Sequence, residues 1–522
     1  MNVNFNSVIK QASVFLEDKR VRRAIFFLFL GLIIFLSIFP RAVEILANNY
    51  LFLIDQGRDY MAVKDIVINH KFTLIGSEIG GGFAGTQGIF QGPVYYYLLS
   101  IFFVLFKGNP YGGMIMMFMF SMASIIFAYF FARTIFKNQW AGALMAFFIA
   151  ISSPLIDQAR FIWNNHPSTF FIFLAFYFTY KAFKKDKKYL FLAAFFSVFV
   201  YNFEIAMAVP MCVALLFYVV FILKLNKVKE YLSLFMGFVL GILPMLLFEV
   251  RHNFIGTRGI INYVLVQPNV YLRTNAHDNL LNNHISTFVS NFLNTFTIKN
   301  IPPYSALLFL AFIALLVFLT LREKEATLKN FLKYLFITLL VTVAVLSLLR
   351  NFVYYYYLYH LDVIYIFIAT YIIYKIFKGK SHLAKLIAIL AIAIFLLTSV
   401  TSAISMTIKD YPDLGGAAKI KGQEQAIDYI YKDAKGKPFG LYIFTPPVYT
   451  YPYDYLLWWY AKPKYHYFPY QEKKGTFYLL MQVDMNQPWT YKGWMETVIK
   501  TGKIIDTKTL IPSGFIVQKR QA

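Results

Sequence analysis

The sequence predicts a mainly α fold: a polytopic bundle of about eleven transmembrane helices, followed by a small extracytoplasmic α/β domain. Three observations predict it. Hydrophobic residues fill 59% of the 522 positions and charged residues only 15%, where soluble domains carry about half and about a quarter. Apolar runs recur from residue 24 to residue 406, most of them close to the ~20 residues that cross a bilayer as a helix. After Met406 the composition changes, and Pro, Gly and polar residues return. In lipid each backbone donor and acceptor must be paired internally, which an open sheet cannot do, so the apolar runs are expected to be helices.

The formal charge of +24 does not point to nucleic acid, because the basic residues gather in short connections between apolar runs. That is the positive-inside pattern, and it sets the orientation. With the amino terminus in the cytoplasm of a multi-pass cell-membrane protein, spans are expected over 24–47, 112–135, 140–156, 168–183, 189–201, 205–221, 231–248, 304–321, 331–349, 361–374 and 383–405. The basic groups around Arg133, Lys184, Lys227, Arg322 and Lys378 then share the cytoplasmic face. Segment 93–106 is apolar but short, as expected of an interfacial or re-entrant element. Counting it as a span would move Lys184 to the other side. The first run follows Lys19, Arg20, Arg22 and Arg23, exceeds a signal-peptide core and lacks a small-x-small site, so it reads as a retained helix. The single cysteine, Cys212, rules out an intramolecular disulfide.

The chain thus divides into a transmembrane domain, 1–405, with a first outer loop at 47–112, and a C-terminal domain, 406–522. In the latter, 439–444 (FGLYIF) and 476–482 (TFYLLMQ) alternate like strands and 423–432 has helical periodicity. Parity places this domain outside.

Polar chemistry collects on the same outer side. DQGRDY (55–60) follows the first span, and IDQARFIWNNHP (156–167) fills the second outer loop. Glu204 stands in the third, FEVRHNF (248–254) opens the fourth, and RNFVYYYYLYH (350–360) forms the fifth. Ionisable groups at a membrane surface are costly and tend to mark function. An aspartate there can act as general base where it reaches the proton. Arginines can grip a phosphate bidentately, and Tyr, Trp and His rims suit sugar faces. Asp55 and Asp59 would share a face of a helical segment. His166, His252 and His360 have no metal-ligand spacing and suit hydrogen bonding better. Glu204 reads as cleft residue or helix cap, Glu249 with Arg251 as substrate contact or local ion pair, and Tyr357 as cleft wall or aromatic belt. The glycines at 80–82 and 85 are not a phosphate loop, since no GxxxxGK[ST] follows.

DQGRDY after the first span, the Gly-rich stretch ending in GPVYYYLL, and ISSPLIDQARFIWNNHP together resemble the glycosyltransferase family 39-like membrane proteins, prokaryotic branch. That group includes protein O-mannosyltransferases and aminoarabinose transferases of the GT-C fold. The likeness is strongest over 24–188. It implies a polyprenyl-phosphate-linked sugar donor, a protein, lipid or glycan acceptor on the outer face, and an inverting transfer. It further implies that Asp55 deprotonates or orients the acceptor hydroxyl. Arg58, Arg160, Arg251 and Arg350 are the candidates to bind the donor phosphate, with Arg160 and Arg251 foremost. Asp59, Asn164, Asn165, His166, Glu204, Glu249, His252, Tyr357 and His360 are candidate substrate contacts. The mannosyltransferase motif begins Asp-Glu, whereas this chain has Asp55-Gln56. Asn164 and Asn165 stand where that branch often carries an acid, with Asp157 about two turns earlier. These departures weigh against a paired-carboxylate mechanism and against a divalent metal site, which favours carboxylate oxygens. Two other classes remain open from sequence: a flippase for lipid-linked saccharide, which should show midplane charges and broken helices in related halves, and an O-antigen-type ligase or polymerase.

Overall fold

The computed structural model describes residues 18–82, 86–184, 187–266, 280–349, 353–411, 415–446, 449–484 and 486–522. Every run expected to span is helical. The first is α1 (Lys19–Ile38), continued through a short 3-10 turn into α2 (Val43–Ala47). Next come α3 (Ile54–Ile68), α4 (Val94–Leu105), α5 (Tyr111–Phe136), α6 (Gln139–Ile151) and α7 (Ser153–Asp157). The middle of the bundle is α8 (Ser168–Phe183), α9 (Leu190–Phe199), α10 (Ile205–Phe217), α11 (Val228–Gly241), α12 (Leu243–Arg251), α13 (Ile255–Ile261) and α14 (Leu280–Thr295). It closes with α15 (Tyr304–Arg322), α16 (Ala326–Ser347), α17 (Tyr359–Lys378) and α18 (His382–Asp410).

Among the described residues seven helices are long and apolar enough to cross a membrane, or eight when α11 and α12 count as one span bent by 70°. The bend has a local cause: Pro244 lies in the first turn of α12, where it cannot continue the hydrogen-bond ladder of α11. The remaining expected spans, α6, α8 and α9, are helices of 13, 16 and 10 residues. Segment 93–106 forms α4, which packs on α3 and α5.

Caps set the starts. Asn138 accepts from the backbone N–H groups of Trp140 and Ala141 to open α6, and Glu325 does the same for α16. Small residues set the closest approach. A Cβ on Gly237 or Gly241 would stand 2.4 Å from Phe191 O or Val198 Cγ1, so α11 lies backbone-close on α9.

α3 makes helical the part of the first outer loop where Asp55 and Asp59 were read as sharing a face, whereas α14, in the fourth outer loop, was not expected. The apolar residues of α14 recur on one face only, and Phe288, Phe292 and Leu293 turn into the bundle core. An amphipathic pattern of this kind escapes a search for continuous apolar runs.

After α18, α19 (Ile420–Ala434), β1 (Gly440–Phe444), α20 (Tyr451–Leu456), β2 (Thr476–Met481), β3 (Lys503–Thr509) and β4 (Ile516–Gln521) build one mixed sheet of order β1-β2-β4-β3. β1 and β2 pair in parallel, while β4 runs antiparallel to both its neighbours. β1 and β2 are the two strands that alternation predicted, and α19 is the predicted helix.

This unit is seated on α3 by backbone contact. Phe52 N–H donates to Ala418 O at 3.0 Å, and Ile420 N–H to Tyr50 O at 3.0 Å. The rings of Tyr60 and Tyr455 meet at 5.0 Å. Gly57 permits the closest touch, since a Cβ there would lie 2.3 Å from Pro452 N. Gly57→Leu should therefore unseat the sheet at a cost of about 1–3 kcal/mol. Limited trypsinolysis of the purified protein should then release the region after residue 411 faster than in wild type. Gly31→Leu, where no atom stands within 4 Å of the added Cβ, is the control and should leave cleavage unchanged.

Candidate active site at one end of the bundle

Asp55 occupies the first turn of α3 rather than a loop. There the unpaired N–H groups of the helix start favour a negative charge. Gln56 fixes the turn, because its Oε1 accepts from Leu53 N–H at 2.8 Å and its Nε2 donates to Ile162 O at 2.6 Å. The second bond pins the 161–166 segment against α3.

Helical spacing brings Asp55, Arg58 and Asp59 together. Arg58 Nη1 donates to Asp55 Oδ1 at 2.8 Å, while Nε and Nη2 reach Asp59 Oδ1 at 2.9 and 2.8 Å. Tyr96 OH adds a bond to the same Asp59 oxygen at 3.3 Å. The two carboxylates differ in setting. The Asp55 side chain is 44% exposed and that of Asp59 only 1%. Burial pushes the Asp59 carboxyl up to about 6, against the pull of Arg58. Burial also opposes the charge on Arg58, but Asp59 and Asp55 more than offset it and hold the guanidinium protonated. A guanidinium has five N–H donors. Nε, Nη1 and Nη2 all turn to these two carboxylates.

Aromatic and polar residues from distant segments adjoin this cluster. Trp163, held near α3 by the Gln56–Ile162 bond, meets the Tyr356 ring at 4.6 Å. Tyr356 lies within charge range of both Glu204 and Asp55, and Tyr357 within range of Glu204. Glu204 is buried and caps α10 by accepting from Ala206 N–H at 3.2 Å. Burial pushes its carboxyl up to about 7. Asn164 is buried, and its Nδ2 donates to Gln91 Oε1 at 2.6 Å and Phe203 O at 2.8 Å. It thereby ties the second connection to the corner before Glu204. Asn165 is buried beside it. His166 donates from Nδ1 to Phe161 O at 2.9 Å, and burial holds it neutral, down to about 3.

The other expected residues lie elsewhere. Arg160 is drawn into a second ion cluster. Its Nε donates to Glu44 Oε1 and Oε2 at 2.9 and 3.0 Å, and its Nη2 pairs with Glu44 and, at 2.6 Å, with Asp410 Oδ2. Asp157 stands close enough for both Arg160 and Glu44 to affect it, and burial pushes its carboxyl up to about 6. Arg251 is exposed at the end of α12. Glu249 does not pair with it but accepts from Gly256 N–H, Thr257 N–H and Thr257 Oγ1, at the start of α13. His252 stacks on Phe248 at 4.1 Å. His360 is fully buried on α17 and bonds Thr342 Oγ1 at 2.7 Å. Because Thr342 donates its own proton to Thr338 O, the His360 Nε2–H is the donor in that pair. Arg350 lies outside the described residues. Of the three candidate arginines among the described residues, Arg58 alone pairs with Asp55. Among the described residues no three His, Cys, Asp or Glu side chains gather with metal-binding geometry.

Glu44, Arg41 and Asp410 were not singled out from sequence. Arg41 is fully buried at the end of the first span and donates to Ser121 Oγ, Ala150 O and Ile149 O at 2.8, 2.7 and 3.0 Å. The available signal was an arginine and a glutamate inside an apolar run, where unpaired charge is expensive.

The chain thus combines a bundle of apolar helices with a carboxylate–guanidinium cluster at one end and a small sheet seated beside it. Residues 91–248 match the family model described as dolichyl-phosphate-mannose-protein mannosyltransferase. That segment includes Arg160, Asn164, His166 and Glu204 but not Asp55. By its helices the chain is a multi-pass membrane protein, and over this segment it is similar to that glycosyltransferase family.

Its fold is similar to that of ArnT. The crystal structure of ArnT from Cupriavidus metallidurans bound to undecaprenyl phosphate aligns over 94% of this chain and 97% of that chain, with a TM-score of 0.55 and 10% identity. ArnT from the same organism in the apo state aligns over 95% and 98%, with a TM-score of 0.52 and 10% identity. No curated protein sequence is significantly similar to the chain.

Two predictions follow from the charges. If the Arg160 cluster is a structural tie, Arg160→Gln and Glu44→Gln should each lower stability by about 3–5 kcal/mol, because each strands a buried partner. Thermal unfolding in detergent checks this, and the double variant should lose less than the sum. Glu204 has a folded-state carboxyl raised from 4.5 to about 7, so the folded state binds that proton more tightly than the unfolded chain. Its contribution to stability is complete below about pH 4.5 and is lost as pH rises toward 7. Melting temperatures taken from pH 5 to 8 should fall less steeply for Glu204→Gln than for wild type.

Proposed function

We propose that the protein transfers a sugar from a polyprenyl-phosphate-linked donor to a hydroxyl-bearing acceptor at the outer face of the membrane, with inversion at the anomeric carbon. The observation that carries this reading is Asp55: a half-exposed carboxylate on the Arg58 guanidinium, at the end of the bundle where the aromatic segments meet. Bound undecaprenyl phosphate in the ArnT crystal structure and the mannosyltransferase family match support the choice of a lipid-phosphate donor.

In this mechanism Asp55 accepts the proton of the acceptor hydroxyl while that oxygen attacks the anomeric carbon. The bond between that carbon and the phosphate oxygen breaks, and the phosphate leaves with its electron pair. Single displacement inverts the centre. The Arg58 guanidinium meets the charge that develops on the leaving phosphate. Asp59 and Tyr96 hold the guanidinium in place. Since Arg58 already faces two carboxylates, part of its charge is balanced, and protonation of Asp59 near pH 6 would free more of it for the phosphate.

The proposed orientation rests on the basic connections. Arg133 and Lys137 lie at the far end of α5, while its first turn touches Tyr60 of α3 through a hydrogen bond from Gly113 N–H to Tyr60 OH at 3.0 Å. A 26-residue helix spans about 39 Å, so the basic end and the Asp55 end lie on opposite sides. With the basic end in the cytoplasm, Asp55 and the C-terminal sheet face outward.

Asp55→Asn keeps the size and the hydrogen bond from Arg58 but removes the base. Sugar transfer in isolated membranes should fall by about 10²–10⁴, with expression and undecaprenyl phosphate binding retained. Undiminished transfer would remove Asp55 from the chemistry.

A further inference from the structure

α12 and α13 form an elbow on the outside of the bundle that the proposed chemistry does not use. α12 leaves α11 at 70°, so where α11 crosses the bilayer α12 runs close to the membrane plane. Met245 and Phe248 turn into the protein, while Leu243, Leu247, Val250 and Arg251 form one exposed stripe at i, i+4, i+7 and i+8. In α13 the inner side is Gly259, where a Cβ would stand 2.7 Å from Gln87 O. Ile255, Arg258 and Ile261 are exposed. Each arginine therefore stands among exposed apolar side chains.

The corner between the two helices is costly and yet fixed. Asn253 and Phe254 both take left-handed backbone, at φ 54° and 58°, a conformation that bulky residues rarely adopt. The Phe254 ring is 53% exposed, so burial within the protein offsets little of that cost. Phe254 N–H donates to Glu249 O at 2.7 Å, and the Glu249 carboxylate accepts from Gly256 N–H, Thr257 N–H and Thr257 Oγ1. Glu249 is thereby committed to the corner itself. Among the described residues neither the Arg251 nor the Arg258 guanidinium has an ion pair or hydrogen bond.

A free guanidinium on an apolar surface suits the edge of a bilayer. Its alkyl stem lies along the acyl boundary and its charge rises to the headgroup level, where a phosphodiester can accept two parallel N–H bonds. Positive-inside orientation does not account for this pair. α13 packs on residues 87–89, and Gln91 of the same connection accepts from Asn164. The elbow thus lies at the Asp55 end of the bundle, away from Arg133 and Lys137.

We propose that the α12–α13 elbow is an interfacial anchor for anionic phospholipid. Phe254 and the apolar stripe enter the acyl boundary, and Arg251 and Arg258 bind phosphodiester headgroups of the surrounding bilayer. The occupant is membrane phospholipid because each charge lies on an open helix face with apolar side chains beside it. The inference rests on membrane residence and not on the sugar-transfer reading.

The test places the full-length protein in nanodiscs of phosphatidylcholine with or without phosphatidylglycerol, and native mass spectrometry counts the lipids it retains. Wild type should keep phosphatidylglycerol in preference to phosphatidylcholine, and added salt should erode that preference. Arg251→Gln/Arg258→Gln should reduce it about 30-fold, the effect of two basic contacts at an anionic surface, with the melting temperature in detergent unchanged. Phe254→Gly relieves the left-handed backbone. It should melt at or above wild type and still retain less phospholipid, which a purely structural role for Phe254 would not produce. A wild-type protein with no preference between the two lipids overturns the proposal, as does a double variant that keeps the wild-type preference. Loss of undecaprenyl phosphate binding in the double variant, with the phosphatidylglycerol preference intact, also overturns it and assigns the arginines to the donor phosphate.

Discussion

Arg160 stands where the first and last spans end, and its guanidinium is shared between Glu44 of α2 and Asp410 of α18. The Arg160 side chain is 7% exposed and that of Glu44 8%. Charges removed from water so completely persist only when they pair well. The tie joins segments 116 and 250 positions apart, and it closes the bundle at the end where the chemistry is proposed. Arg41 extends the same restraint to the carbonyls that end α6. With α1, α18 and the α6–α7 turn tied together, the chain that leaves α2 has little choice of direction. It turns into α3 and presents Asp55, and the chain that leaves α18 returns to pair with residues 50–52.

The two ion clusters at this end solve different problems. Around Arg160 the guanidinium and Glu44 are buried, and Nε and Nη2 engage Glu44 and Asp410, as suits a structural joint. Around Arg58 one carboxylate, Asp59, is buried and the other, Asp55, is half-exposed. A half-exposed carboxylate on a guanidinium is costly for stability and useful for chemistry. The sheet seated on α3 fits this division. It contacts the far side of the helix from Asp55, through Gly57 and Tyr60.

Much of the fold was legible in the sequence. Eleven apolar runs became helices, 439–444 and 476–482 became neighbouring strands, and Asp55 with Asp59 fell on one helical face with Arg58 between them. All of these are consequences of local periodicity and lipid solvation. α14 was not legible, because its apolar residues are spaced for one face and are interrupted by Ser, Asn and Thr. The role of Arg160 was not legible either. A motif shows that a guanidinium is present but not which carboxylates will reach it, and Glu44 and Asp410 carry no local sign that they will meet. His360 was misplaced for a related reason: one helical step decides whether a residue at a span's end faces a cleft or the core, and Thr342 on α16 draws it inward.

By itself the sequence determined that this protein lives in a membrane, where its helices fall, and which short helix carries the carboxylate and the guanidinium. Those features depend on residues a few positions apart, whose spacing along a helix is set by geometry alone. Only the tertiary structure decided which arginine stays with Asp55 and which is spent on joining the first span to the last. It also decided that α14 turns Phe288 and Phe292 into the core. Those outcomes depend on charges and side chains brought together from opposite ends of the chain, and the cost of burying a charge is settled only when its partner arrives.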